Sequence, residues 1–410
     1  MNQINKKHLW IFNHYAVAPD LPGGTRHFDF GKELVKRGYQ VTIFAAGFNY
    51  LLRQELKLAS HENWKLENVV GVNFVWLKTF PYQTNNWRRI INIVSYMIRA
   101  YRIGSRLSRL QPEIKPPQVI IGSTVHPLAA LAAWLLAKKF RAKFILELRD
   151  LWPQSLIDMK QLRADSVMAK ILRHLENFLC KHATRIIVLS SATTSFLLDR
   201  GYPSAKISVI SNGVDLDQYP RTRQPENQIF TILYTGALSF DKALLPALEA
   251  AKILEQSADI KFKLIFFGSG VDQPRLEQET RNRQLTNVEF RPPVSKKEIP
   301  RELQSADALL LMQDKILHDG SSNKFMDYLA ASRPIIFVTH AETNIKIIQQ
   351  TNCGLAIPPR DAPALAKAIL KIYNSSIAER EQMGARGRAY AEAHHAIPVL
   401  VDQLEPLLTD

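Results

Sequence analysis

The chain of 410 residues is long enough for two compact domains, since a single core rarely grows past about 250–300 residues. Its 46% hydrophobic and 22% charged residues exclude extended disorder, and its longest apolar run, 127–137, is too short for a membrane-spanning helix. The formal charge of +15 points to an anionic partner, but the basic residues form no Arg-Gly or Lys-rich tract that would support an RNA or DNA role.

In chain order, short β-branched and apolar runs alternate with longer helical patterns, which predicts parallel sheets wound with helices on both faces. Strands are predicted at 8–13, 40–45, 72–77, 118–122, 143–148, 185–189 and 206–210, and again at 230–234, 262–267, 287–290, 308–312, 334–338 and 354–357. The polar first ten residues predict no export signal. The intervening stretch 211–228, with Asn-Gly and two prolines, reads as a hinge between domains 1–210 and 229–385. Residues 386–410 read as a helical segment that packs back on the first domain. Cys180 and Cys353 have neither metal-ligand nor disulfide spacing and read as buried thiols.

Five junctions carry chemistry. After the first strand, Gly23-Gly24-Thr25-Arg26 opens a helix, where glycines let an anion approach amide donors and the helix dipole; a plain flexible turn is the alternative. It is not the Gly-x-Gly-x-x-Gly fingerprint. Asp319-Gly320-Ser321-Ser322-Asn323-Lys324, leading to Asp327, presents amides at a helix start, with carboxylates suited to sugar and ribose hydroxyls; capping by Asp319 and a surface role for Asp327 remain open. Arg149 and Asp150 follow a strand, where charged groups face the ligand crevice or form a structural ion pair. His126 follows another and is a candidate for proton transfer or a structural ring. Gly236 and Lys242 follow the first strand of the second half, where a lysine reaches phosphate or only solvent; Gly268 ends the next strand. Finally, Arg88, Arg89, Arg99, Arg102, Arg106 and Arg109 interleave with Ile90, Ile93, Val94, Met97 and Tyr101, as in a helix lying on an anionic bilayer or one packed on a core with a solvated basic side.

Taken together, the opening His14-Tyr15 with Gly23 to Arg26, the run Glu147 to Ser155, Ser211 to Asp215, Asn323 to Pro334 and Gly354 to Pro359 resemble the glycosyltransferase family 4 pattern, especially its WbuB-like colanic acid and O-antigen branch. The resemblance implies a GT-B fold, α/β with two Rossmann-like domains whose parallel sheets face across a cleft. It implies a retaining transferase for polysaccharide or lipopolysaccharide assembly that takes a sugar from a nucleotide-diphosphate donor, with UDP expected. The donor would be held mainly by the second domain and a lipid-linked or glycan acceptor by the first. A nucleotide-sugar epimerase, a phosphorylase or a silent sugar-nucleotide-binding module are the related alternatives. No cofactor, metal or nucleic acid is expected, since backbone amides and fixed cations can stabilise a departing diphosphate. The expected location is cytoplasmic, peripheral on the inner face of the plasma membrane.

Residue by residue, Asp319 and Asp327 stand where family members carry two glutamates. Asp319, His126 and Asp150 are the catalytic candidates, and Gly23, Gly24, Arg26, Arg149, Gly236, Lys242, Gly268, Ser321, Ser322, Asn323, Lys324 and Asp327 the donor-binding ones. Ala237 replaces a common arginine, and Ala243 a common glycine after Lys242.

Overall fold

A computed structural model describes residues 7–84, 86–257, 260–314 and 323–409, with the side chains of Asp241, Ser257 and Asn323 excepted. It divides into two units. Among the described residues, unit 1 contains the chain up to Ser211 together with Ile397 onward, and unit 2 contains 212–314 and 323–396.

Unit 1 is built on an eight-stranded sheet. Its strands are β1 (His8–Phe12), β2 (Gln40–Ala46), β3 (Trp64–Val69), β4 (Val72–Leu77), β5 (Val119–Ser123), β6 (Lys143–Leu148), β7 (Arg185–Val188) and β8 (Ile207–Val209). The order is β8-β7-β6-β5-β1-β2-β4-β3, and every pairing is parallel except that of β3 with β4. Successive side chains point to opposite faces, and both faces are apolar: Leu9 and Ile11 enter one core, Trp10 and Phe12 the other. Helices α1 (Arg26–Lys36) and α10 (Ile397–Thr409) cover the first face. The second is covered by α2 (Trp87–Gly104), α3 (Pro127–Phe140) and α4 (Val167–His182). The alanine-rich α3 presents so little bulk that α2 comes close enough for Gly104 to lie against Leu136.

Unit 2 repeats the scheme with β9 (Phe230–Thr235), β10 (Phe262–Phe267), β11 (Val288–Arg291), β12 (Ala308–Gln313), β13 (Ile335–Thr339) and β14 (Gly354–Ile357), all parallel, in the order β11-β10-β9-β12-β13-β14. Its faces are covered by α5 (Leu245–Ser257) and α8 (Ala362–Tyr373) on one side, and α6 (Asn323–Ala330), α7 (Glu342–Thr351) and α9 (Ile377–His394) on the other. In both units the strand order reverses beside the first strand, between β1 and β5 and between β9 and β12, and ligands of open parallel sheets bind at the carboxyl ends of such strands.

All thirteen predicted strands are present within about a residue at each end. β3 was missed because its alternating Lys65, Glu67 and Asn68 lie on a partly solvated edge; the turn at Val70-Gly71, both with positive φ, was its only signal. Of the stretch 211–228, read as a hinge, residues 212–228 group with unit 2: Gln224 Nε2 donates to the Asp307 carbonyl, and the Arg333 guanidinium donates to Thr222 Oγ1 and the Arg223 carbonyl. The boundary expected at 386 also moves, because α9 extends to His394 within unit 2, anchored by Arg388 donating to the Tyr219 and Ala330 carbonyls. Only α10 returns to unit 1, where Arg37 pairs with Asp402 at 2.6 Å and Glu405 at 3.1 Å. Both cysteines are buried thiols. No helix among the described residues is long and apolar enough to cross a membrane.

Candidate active site

At the carboxyl end of the unit 1 sheet, a buried polar network joins β1, α1, β5 and β6. Glu147, 3% exposed, accepts from Arg26 Nε at 2.9 Å, His27 Nε2 at 2.7 Å and Ser123 Oγ at 2.7 Å. Burial raises its carboxyl pKa, but His27 and Arg26 outweigh this and hold it well below the usual carboxylate range. Asn13 Nδ2 meets the other nitrogen of His27 at 2.8 Å. The remaining arms of Arg26 donate to the carbonyls of Ile210 and Ser211. Arg26 was a donor-binding candidate; its guanidinium is instead committed to the end of β6 and the chain leaving β8. Gly23 and Gly24 lie at the entrance of α1, half-buried, with Thr25 Oγ1 donating to Asp29 at 2.6 Å.

His126 caps α3 by accepting the Ala129 amide at Nδ1 and meets His14 Nδ1 through its Nε2 at 2.7 Å. Burial first, and the charge of Arg89 second, lower its pKa to about 3, so it is a neutral ring. Arg149 and Asp150 sit just beyond β6 beside Thr124, whose Oγ1 accepts the Arg149 amide. Burial raises the Asp150 carboxyl pKa, against the opposing charges of Arg149 and Arg89. Sequence reasoning missed the pairing of His27 with Glu147 and that of His14 with His126. The available signal was the glutamate within the apolar run of β6.

In unit 2 the carboxyl ends of β9 and β10 carry Gly236 and Gly268, both with positive φ, at 148° and 155°. A Cβ on Gly268 would fall 1.8 Å from the Gly236 carbonyl oxygen, so only glycine allows the two loops to touch. A Cβ on Gly236 would fall 1.7 Å from Lys324 Nζ, so the ammonium occupies the space left by that missing side chain, 5.7 Å from the Tyr234 ring centroid. Asp327, one turn further along α6, accepts from Tyr219 Oη at 2.9 Å. Tyr328 accepts the Thr235 amide at 2.9 Å and donates to the Leu310 carbonyl, tying β9 to β12 at the switch point. Lys242 ends a short 3₁₀ turn, and Ala243 follows in the left-handed region at φ 47°. Asp319, Ser321 and Ser322 lie outside the described residues, as does the side chain of Asn323.

The six arginines of the basic segment do not share one face. Arg88, Arg102, Arg106 and Arg109 are exposed, Arg99 Nη1 donates to Asn63 Oδ1 at 2.9 Å, and Arg89 turns toward His14 and His126. The core face of α2 is Ile93, Tyr96 and Ala100, while Ile90 and Tyr101, predicted to share it, are exposed with Trp87, Ile91 and Ile98.

Two consecutive doubly wound units of this kind make a GT-B fold. The fold matches a sucrose-phosphate synthase from Thermosynechococcus elongatus (TM-score 0.73, 15% identity, 98% of both chains). It also matches Anabaena Alr3699/HepE in complex with UDP (TM-score 0.67, 14% identity, 98% of this chain and 99% of that one). The Glycosyltransferase Family 4 model matches residues 23–218 and the Glycosyl transferases group 1 model residues 218–390, and the chain belongs to the family 4 glycosyltransferases. Among curated relatives, a "Probable glycosyltransferase WbjE" of Pseudomonas aeruginosa is 24% identical over 72% of this chain and 75% of its own. WcaI of Escherichia coli (strain K12), provisionally described as a colanic acid biosynthesis glycosyl transferase, is 21% identical over 86% and 89%. The protein is a glycosyltransferase of glycan biosynthesis.

Proposed function

We propose that the protein is a retaining, metal-independent transferase that moves a hexosyl or N-acetylhexosaminyl group from a UDP-linked donor to a lipid-linked or polysaccharide acceptor during assembly of a surface glycan. The observation carrying the donor assignment is Lys324, whose ammonium rests on Gly236 at the carboxyl edge of β9. A fixed cation over a side-chain-free backbone suits a diphosphate, whose negative charge grows as the glycosidic bond breaks. Asp327, oriented by Tyr219, would accept from ribose hydroxyls. Solved structures of HepE with UDP and UDP-glucose support this ligand class.

In the front-side route the bond from the anomeric carbon to the diphosphate oxygen breaks as the acceptor oxygen bonds on the same face. The acceptor proton passes to the leaving phosphate. The exposed Trp87, Ile90, Ile91, Ile98 and Tyr101 beside Arg88 and Arg102 support peripheral docking on an anionic membrane. Lys324→Ala and Asp327→Ala should each lower turnover of the UDP-sugar that most stabilises the wild-type protein in a thermal-shift panel by about tenfold or more, the worth of one charge-assisted hydrogen bond. Near-normal rates in both variants would remove the proposed donor site, and loss of activity on chelation would remove metal independence.

A further inference from the structure

On one flank of unit 1, α4 and the turn at 199–202, which leads toward the edge strand β8, wall a cleft of about 420 Å³. Arg173, Asn177 and Lys181 line it from α4, where residues four apart share a face, and Arg200 and Tyr202 line it from the turn. Three of these five residues are cations and none is an acid, and none belongs to the carboxyl-end site around Glu147, His126 and Asp150. Among the described residues, the side chains of Arg173 and Lys181 meet no carboxylate or carbonyl. Arg200 gives one bond, from Nη1 to Glu176 Oε2 at 2.8 Å.

The lining is held so as to offer donors. The Arg200 guanidinium lies over the Phe196 ring, 4.0 Å from its centroid, and the bond to Glu176 fixes one edge of that plane. Glu176 is 4% exposed and does not line the cleft, so it offsets one of the three charges and anchors the guanidinium without filling the space. Tyr202 Oη donates to Asn177 Oδ1 at 3.2 Å, which occupies the acceptor of that amide and leaves its Nδ2 hydrogens for another partner. A concave wall of donors with net positive charge fits a ligand that only accepts. Phosphate oxygens do so, since a guanidinium grips them two at a time and an ammonium serves as a point charge. The volume falls in the range of small-molecule sites, about 300–1,000 Å³. A merely solvated basic flank is the plain alternative, but three cations around one hollow repel one another, and a bound anion removes that repulsion.

We propose that this cleft is a second anion site, which binds a phosphate-bearing molecule through Arg173, Lys181 and Arg200 and is separate from the donor site of unit 2. It goes beyond the transferase reading and does not depend on it. Isothermal titration of the full chain with inorganic pyrophosphate, in saturating UDP so that the donor site is filled, tests it. Wild-type protein should bind one pyrophosphate. Arg173→Gln and Lys181→Gln together should weaken that binding at least tenfold and leave UDP affinity within twofold. The proposal is overturned if UDP-loaded wild-type protein takes up no pyrophosphate, if the double variant binds it equally well, or if the double variant loses UDP instead. Should the double variant fail to fold, Lys181→Gln alone changes an exposed side chain, and unchanged affinity there overturns the proposal equally. Should UDP not bind, the donor assignment fails, while the comparison of wild type with double variant still decides this site. Co-sedimentation with phosphatidylglycerol vesicles separates the two sources of phosphate, and either result supports the site once pyrophosphate binding is lost in the double variant. Weaker sedimentation of that variant, with pyrophosphate releasing the wild type, makes the ligand a lipid headgroup; sedimentation unchanged by both makes it a soluble phosphate.

Discussion

At Glu147 a carboxylate sits inside a parallel sheet because three donors surround it, and each of those donors is committed by the same contact. Removing one partner of a buried pair leaves an uncompensated charge, so Arg26→Ala should destabilise unit 1 by about 3–5 kcal/mol in denaturant titrations. If Arg26 served donor phosphate instead, the same variant would keep its stability and lose UDP affinity. Ala243 illustrates a smaller cost. It occupies the left-handed region, where a Cβ is strained and glycine is not, and Ala243→Gly should raise stability by about 1 kcal/mol; a lower melting temperature would show that the turn tolerates the Cβ without strain.

Helix α2 shows how an amphipathic pattern can be read correctly as a helix and incorrectly as faces. The arginine spacing suggested one basic stripe opposite one apolar stripe, whereas the helix uses Ile93, Tyr96 and Ala100 against α3 and leaves Trp87, Ile90, Ile91 and Ile98 bare. If those side chains enter a bilayer, replacing Trp87 and Ile90 together by serine should cut co-sedimentation with vesicles containing phosphatidylglycerol by about tenfold or more, since each buried apolar side chain contributes about 1–2 kcal/mol. Vesicle binding that persists unchanged would return the patch to solvent. The edge strand β3 makes the complementary point: a strand wet on one side lacks the continuous apolar run by which its buried neighbours were recognised.

Across the whole molecule, buried imidazoles make stability depend on pH. His126 is lowered to about 3 and His395 to about 4, both chiefly by burial, and His14 and His27 are shifted the same way. The unfolded chain therefore binds more protons below its histidine pKa of 6.5, so this stability is complete above pH 6.5 and lost as the pH falls toward 3–4. Between pH 7 and 5, His126 and His395 should each remove about 2 kcal/mol, measured by urea unfolding, and His126→Asn should flatten the dependence by its share. A stability flat from pH 7 to 5 would contradict the neutral burial of these rings.

The sequence by itself determined the two parallel sheets, nearly all of their strands, and the glycine-bearing junctions at their carboxyl ends, because burial on both faces and turn stereochemistry are local demands that write themselves into adjacent residues. It also carried the family pattern. Only the tertiary structure decided that Arg26 holds Glu147 in place, that Arg89 turns inward to His14, that residues 212–228 belong to unit 2, and that Lys324 fills the space above Gly236. Those outcomes depend on side chains distant in the chain competing for the same few buried donors and acceptors, and a linear spacing rule holds no record of which partner wins.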